Sequence, residues 1–149
     1  MVGNCVFCAP DRNEPVYVSG KWRVLLVDEP DYPGFCRVVW NDHVAEMTDL
    51  SEADRVEVMN VVWLVEKCIR DVMQPDKVNL ASLGNVVPHI HWHVIPRYVN
   101  DRSFPDSVWS VAKREPDQKE TMFRKGKIPE LRKMLSDVLN EQYGLSLQR

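Results

Sequence analysis

Three of the chain's four histidines, His89, His91 and His93, alternate within "VPHIHWHVIPR", with Ile90, Trp92 and Val94 between them. In a β-strand, residues i, i+2 and i+4 share one face at about 7 Å spacing. The imidazoles would then line one side while the apolar residues pack on the other. Three readings fit that register. The plainest is a half-exposed strand that happens to carry histidines. His-x-His on a strand also suits zinc, which takes imidazole nitrogens at ~2.0–2.1 Å. The third is nucleophilic catalysis, in which imidazole attacks phosphorus and splits one difficult transfer into two easier ones. A pKa near neutrality equips imidazole to act as nucleophile or as proton donor.

Cys5 and Cys8 form a second candidate pair, spaced C-x-x-C. No thioredoxin-like βαβ context surrounds them, which disfavours a redox role. Burial as small hydrophobic residues is the bland alternative.

Other segments must position these residues. "PVYV" (15–18) and "WRVLLVD" (22–28) are β-rich runs separated by the turn Ser19-Gly20, and "FCRVVW" (35–40) follows a Pro/Gly loop, so a meander is expected. Ser51 with Asp54 resembles a capping box, and Val58, Val62, Val65, Ile69 and Val72 recur at helical steps until Pro75. "KVNLASLG" (77–84) and "HIHWHVIPRY" (89–98) read as strands. Residues 100–128, with the charge run "KREPDQKE", read as an irregular arm. A C-terminal helix is expected over 129–143, with Leu131, Leu135, Val138 and Leu139 on one face and Gly144 as its stop. The order of elements points to an α+β fold with a mainly antiparallel sheet, and the 149 residues read as one domain.

A net charge of −3 argues against a nucleic-acid or membrane-surface binder, since phosphate-backbone affinity needs a basic footprint. It leaves room for a small phosphorylated ligand. No apolar run is long enough for a bilayer-spanning helix, and "MVGNCVFCAP" lacks the features of a secretory signal. The expectation is a cytoplasmic protein with reduced thiols.

"HIHWHVI" followed by "PR" resembles the histidine-triad family, whose pattern is His-φ-His-φ-His-φ-φ with φ apolar. "CVFC", "VDEPDYPGF" and "RVVWNDHVAEMTDL" fall in the order that histidine-triad hydrolases follow, so the resemblance covers about residues 5–98. It implies a HIT-like fold, with one long helix after the third strand. It also implies a nucleotide hydrolase in which His91 attacks an α-phosphorus and carries the covalent nucleotidyl intermediate. His93 would contact the phosphate and assist the leaving group, and a backbone carbonyl would hold the other ring nitrogen of His91. Implied substrates are dinucleoside polyphosphates such as diadenosine tetraphosphate. Nucleoside phosphoramidates are the alternative, and a nucleotide-binding adaptor with little catalysis is the rival. The resemblance further implies a homodimer and no organic cofactor.

One branch of the wider superfamily holds zinc on a C-x-x-C pair, a histidine after the third strand and the first triad histidine. That resemblance implies a structural zinc on Cys5, Cys8, His43 and His89. For substrate contacts it points to Asp28 near the ribose hydroxyls and to Gly84 and Asn85 by the phosphates. Arg97, which keeps the parity of the histidines, is a candidate for neutralising phosphate charge. Trp109 is a candidate for stacking on a base or packing as an arm residue. The chain also departs from the pattern. Where many members read "GHxLVIPKxH" it has "GFCRVVWNDH", with Phe35 replacing a histidine, and the Gly-Gln-Ser segment before the triad is shortened to "LGNVVP".

Overall fold

In a computed structural model that describes residues 3–147, five strands form one antiparallel sheet. They are β1 (Tyr17–Val18), β2 (Trp22–Leu26), β3 (Cys36–Trp40), β4 (Lys77–Ala81) and β5 (His91–Arg97), in the spatial order β1-β2-β3-β5-β4. Helix α1 (Glu52–Met73) follows β3, α2 (Gln118–Lys125) lies in the arm, and α3 (Ile128–Tyr143) ends the fold. The architecture is α+β, as expected.

Helix α1 starts where Ser51 Oγ accepts the amide of Asp54, and Glu52 and Asp54 place negative charge at its positive end. The capping box is only half made, because the Asp54 carboxylate bonds Lys21 Nζ at 2.8 Å. The helix stops at Gln74, in the left-handed region at φ 48°, before Pro75. Its apolar face, including Val58, Val62, Val65 and Ile69, packs with Val24, Val38, Ile90 and Val94 of the sheet side. Leu131, Leu135 and Leu139 of α3 are fully buried in the same core. Burying each such side chain contributes about 1.5–3 kcal/mol, so this face anchors the sheet while the opposite face is left for chemistry.

Register decides what lies on that opposite face. Strand β3 pairs with β5 so that Arg37 faces His93 and Val39 faces His91, and β2 brings Leu25 opposite Arg37. The strands are shorter than expected. Strand β5 begins at His91, so His89 sits in the loop before it, and β4 ends at Ala81 rather than Gly84. The arm is not wholly irregular: α2 is capped by Asp117, whose carboxylate accepts the amides of Lys119 and Glu120. Helix α2 buries only Thr121, so no apolar periodicity announced it. Among the described residues, no helix is long and apolar enough to cross a membrane.

Candidate functional site

His91 and His93 stand on the polar face of β5 with ring centroids 4.8 Å apart and edge to face. Trp92 and Val94 point the other way and pack with the core. His91 Nδ1 donates to the His89 carbonyl at 2.6 Å. That bond fixes the tautomer, leaving the Nε2 lone pair available. His93 is set the opposite way: Arg37 Nε donates to its Nδ1 at 3.3 Å, so a neutral His93 carries its proton on Nε2. One strand therefore presents an imidazole acceptor beside an imidazole donor.

Both rings sit where charge is disfavoured. Burial lowers the His91 pKa, against the pull of the His89 carbonyl and with help from the nearby Arg37 charge. Burial, then His91 and Arg37, push His93 from 6.5 down to about 3. Aromatic residues supply this dry setting. Phe7 lies 4.5 Å from the His91 ring, and Phe35 and Trp109 meet His93 edge-on at 5.6 and 4.9 Å. Folded His93 declines a proton that the unfolded chain takes up below 6.5. Stability present above pH 6.5 is therefore lost progressively as pH falls toward 3. In urea unfolding between pH 7 and 4, His93→Gln should flatten the slope of stability against pH by up to about 1.4 kcal/mol per pH unit. An unchanged slope would refute the neutral, buried imidazole.

The N-terminal loop closes over this face. Cys8 and Ala9 amides both donate to the Cys5 carbonyl, forming a tight knuckle. Arg23, fully buried on β2, pins the loop through the Phe7 carbonyl at 2.8 Å and Asp11 at 2.9 Å, and it also bonds Asn41, just after β3, at 3.3 Å. The knuckle brings Cys5 and Cys8 to His43 and His89, and the four candidate ligand atoms all lie within 4.8 Å of one another. His89 Nδ1 is 3.4 Å from Cys5 Sγ, 3.5 Å from Cys8 Sγ and 3.3 Å from His43 Nδ1, and Cys8 Sγ to His43 Nδ1 is 3.3 Å. The other nitrogen of His89 bonds the Trp40 carbonyl, which aims Nδ1 into the cluster. These residues could hold a metal ion. The remaining cysteines, Cys36 and Cys68, are free and buried, with thiol pKa values raised by burial, Cys68 to about 11.

A cleft of about 710 Å³ runs between the N-terminal loop and β2, lined by Phe7, Asp11, Arg12, Leu25, Asp28 and Arg37. Asp28 is exposed on its wall. Gly84 lies in the loop before the triad at φ +77°, a conformation that suits glycine, and exposed Asn85 makes no hydrogen bond among the described residues. Neither joins the hydrogen bonds of His91 or His93.

Arg97 is engaged by the protein itself. It keeps the parity of the triad, yet it is 1% exposed and bonded to Asp101, Asn79, Ser103 and the Asp106 carbonyl. Burial would raise the Asp101 carboxyl, but Arg97 and the amides of Tyr98, Ser103 and Phe104 hold it low. Arg97 thus ties down the arm, the segment that carries Trp109 to His93. Sequence reasoning passed over Arg37 and Phe7. A lone charge inside the apolar run "FCRVVW" was the signal for Arg37, and an aromatic ring between two cysteines was the signal for Phe7.

The HIT domain family model matches residues 12–100. The chain is 29% identical over 92 residues to bis(5'-adenosyl)-triphosphatase of Saccharomyces cerevisiae, covering 57% of this chain and 45% of that protein. It is 30% identical over 101 residues to AP-4-A phosphorylase of Mycobacterium tuberculosis, covering 63% and 52% respectively. The chain thus spans about half the length of the curated relatives it matches. A histidine triad protein from Bradyrhizobium japonicum superposes with a TM-score of 0.67 at 26% identity, over 82% of this chain and 90% of that one. A zinc-bound histidine triad family protein from Mycobacterium smegmatis shares the fold at TM-score 0.60 and 22% identity, over 95% and 99%.

Proposed function

The chain belongs to the HIT-domain family, and on that premise we propose that it is a nucleotide hydrolase cutting dinucleoside polyphosphates such as diadenosine tetraphosphate at an α-phosphate. The observation that carries this reading is the His91 Nδ1–His89 carbonyl bond, which leaves Nε2 of a neutral imidazole as the free lone pair of the triad. In the first step Nε2 bonds to the α-phosphorus and the bond to the bridging oxygen breaks. Its electron pair leaves with the departing nucleotide as an anion. The resulting imidazolium keeps its Nδ1 proton on the His89 carbonyl. His93 donates a hydrogen bond from Nε2–H to the departing oxygen without surrendering the proton. Water then attacks the same phosphorus, the P–N bond breaks, neutral His91 is restored and one proton passes to solvent. The names of the two curated relatives support this substrate class.

The reading also assigns zinc to Cys5, Cys8, His43 and His89. Zn–N of ~2.0–2.1 Å and Zn–S of ~2.3 Å give tetrahedral edges of roughly 3.3 Å between nitrogens and 3.6 Å between sulfur and nitrogen. The observed 3.3 Å and 3.3–3.5 Å match them. Zinc there would cross-link the N-terminal loop to the start of β5, a structural role. A homodimer belongs to the same reading, and β4, at the edge of the sheet, offers a strand for pairing.

A substrate panel tests the function. Diadenosine tetraphosphate should yield AMP and ATP, and a requirement for inorganic phosphate with ADP as product would mark a phosphorylase instead. Measurable nucleotide binding with no product from polyphosphate or phosphoramidate substrates would replace the hydrolase reading with an adaptor.

A further inference from the structure

Arg37 is a charged residue on a strand whose neighbours Cys36, Val38 and Val39 are buried. Its position on β3 is directly opposite His93. Its guanidinium carbon lies 5.8 Å from the Phe7 ring and 5.6 Å from the Phe35 ring, so the group is bracketed between two aromatic side chains. Nε is spent on His93 Nδ1. The two terminal amino groups make no hydrogen bond, and no carboxylate pairs with the side chain, among the described residues. Glu29 is felt only through space. By contrast Arg23 and Arg97, the arginines that the other strands carry on this face, are each matched to an aspartate. A half-buried arginine that lines the cleft with an open fork is arranged to receive an anion.

Resting on the hydrolase reading above, we propose that Arg37 binds the departing phosphate chain, and so makes the enzyme selective for substrates whose leaving group is a phosphate anion over phosphoramidates. His93 holds the departing oxygen, and Arg37 is bonded to the far side of that ring. Its terminal amino groups line the cleft beside that ring, where the phosphates behind the departing oxygen would extend. A polyphosphate leaves with a full negative charge on the oxygen and more on the phosphates behind it. An amine leaves with none, and the arginine has nothing to stabilise.

The experiment compares kcat/KM for diadenosine tetraphosphate and adenosine phosphoramidate in wild type, Arg37→Gln and Arg37→Lys, with melting temperature and metal content as folding controls. Loss of the His93 bond lowers both activities, so the ratio is the readout. Arg37→Gln should reduce the preference for the polyphosphate by about 10- to 100-fold, the worth of a charge-assisted bond. Arg37→Lys, which keeps the charge, should retain most of the preference, and it carries the test if the glutamine variant does not fold. Equilibrium binding supplies a readout independent of turnover: ADP should bind more tightly than AMP, and Arg37→Gln should close that gap. An equal fall on both substrates with the ADP–AMP gap unchanged overturns the role of Arg37 and leaves the hydrolase intact. Wild type inactive on both substrates overturns the hydrolase reading, and the ADP–AMP gap still decides whether Arg37 recognises the second phosphate.

Discussion

Replacing His91 with alanine should lower turnover of diadenosine tetraphosphate by about four orders of magnitude or more, the scale on which nucleophile deletions act. The fold should survive. His91 stands on the polar face of β5, while Trp92 and Val94 on the other face keep their packing against α1 and the sheet core. The variant loses one ring contact with Phe7 and leaves the His89 carbonyl without its partner, a cost of about 1–3 kcal/mol. Its metal content should match wild type, because Nδ1 of His89 still faces Cys5 and Cys8. Mass spectrometry of rapidly quenched wild type, kept out of acid because phosphoramidates are acid-labile, should detect a nucleotidyl adduct that His91→Ala lacks. Ordinary activity in the variant, or an adduct mapping elsewhere, would refute the assignment of the nucleophile.

The second large effect concerns the four-residue cluster. Purified protein should carry about one zinc per chain, and Cys8→Ser or His43→Ala should strip it. Both residues sit at the periphery, Cys8 exposed and His43 half-buried, so their replacement leaves no hole in the core. A ligand present at a thousandfold its Kd stabilises by about 4 kcal/mol. For a domain of this size that corresponds to roughly 10 °C or more in the thermal midpoint. Calorimetry with and without a strong chelator measures it directly. Wild type and the Cys8→Ser variant should differ before chelation and converge after it. Substoichiometric zinc together with an unmoved midpoint would show that the cluster is only a packing arrangement. Arg23 still holds the loop in that case, through Phe7 and Asp11.

Read from sequence, β5 and α1 were legible because their information is local. Alternation over "HIHWHVI" specifies which side chains share a face, and the three- and four-residue recurrence of valines specifies one helix face. The His89, His91 and His93 set stayed together even though the strand begins only at His91, since Ile90 bonds both Val44 and Trp40 and holds the bend at His89 against the sheet. Helix α2 escaped notice because a helix that buries a single threonine leaves no apolar stripe to read.

Arg97 and Arg37 mark the boundary between the two kinds of information. Both follow the parity of the triad face, and parity alone favours Arg97, four residues from His93 on the same strand. The fold reverses that choice. The returning arm delivers Asp101 and the Asp106 carbonyl to Arg97 and engages its Nε and one terminal amino group, while register places Arg37, 56 residues from His93, directly across from it with its fork open. By itself the sequence determined the family, the strand that carries the imidazoles and the residue types available for metal and phosphate chemistry. Only the tertiary structure decided which of these two arginines meets His93 with its fork open. Strand alternation is set within a few residues, whereas the partner of a charged group is set by pairing and loop closure between segments distant in the chain.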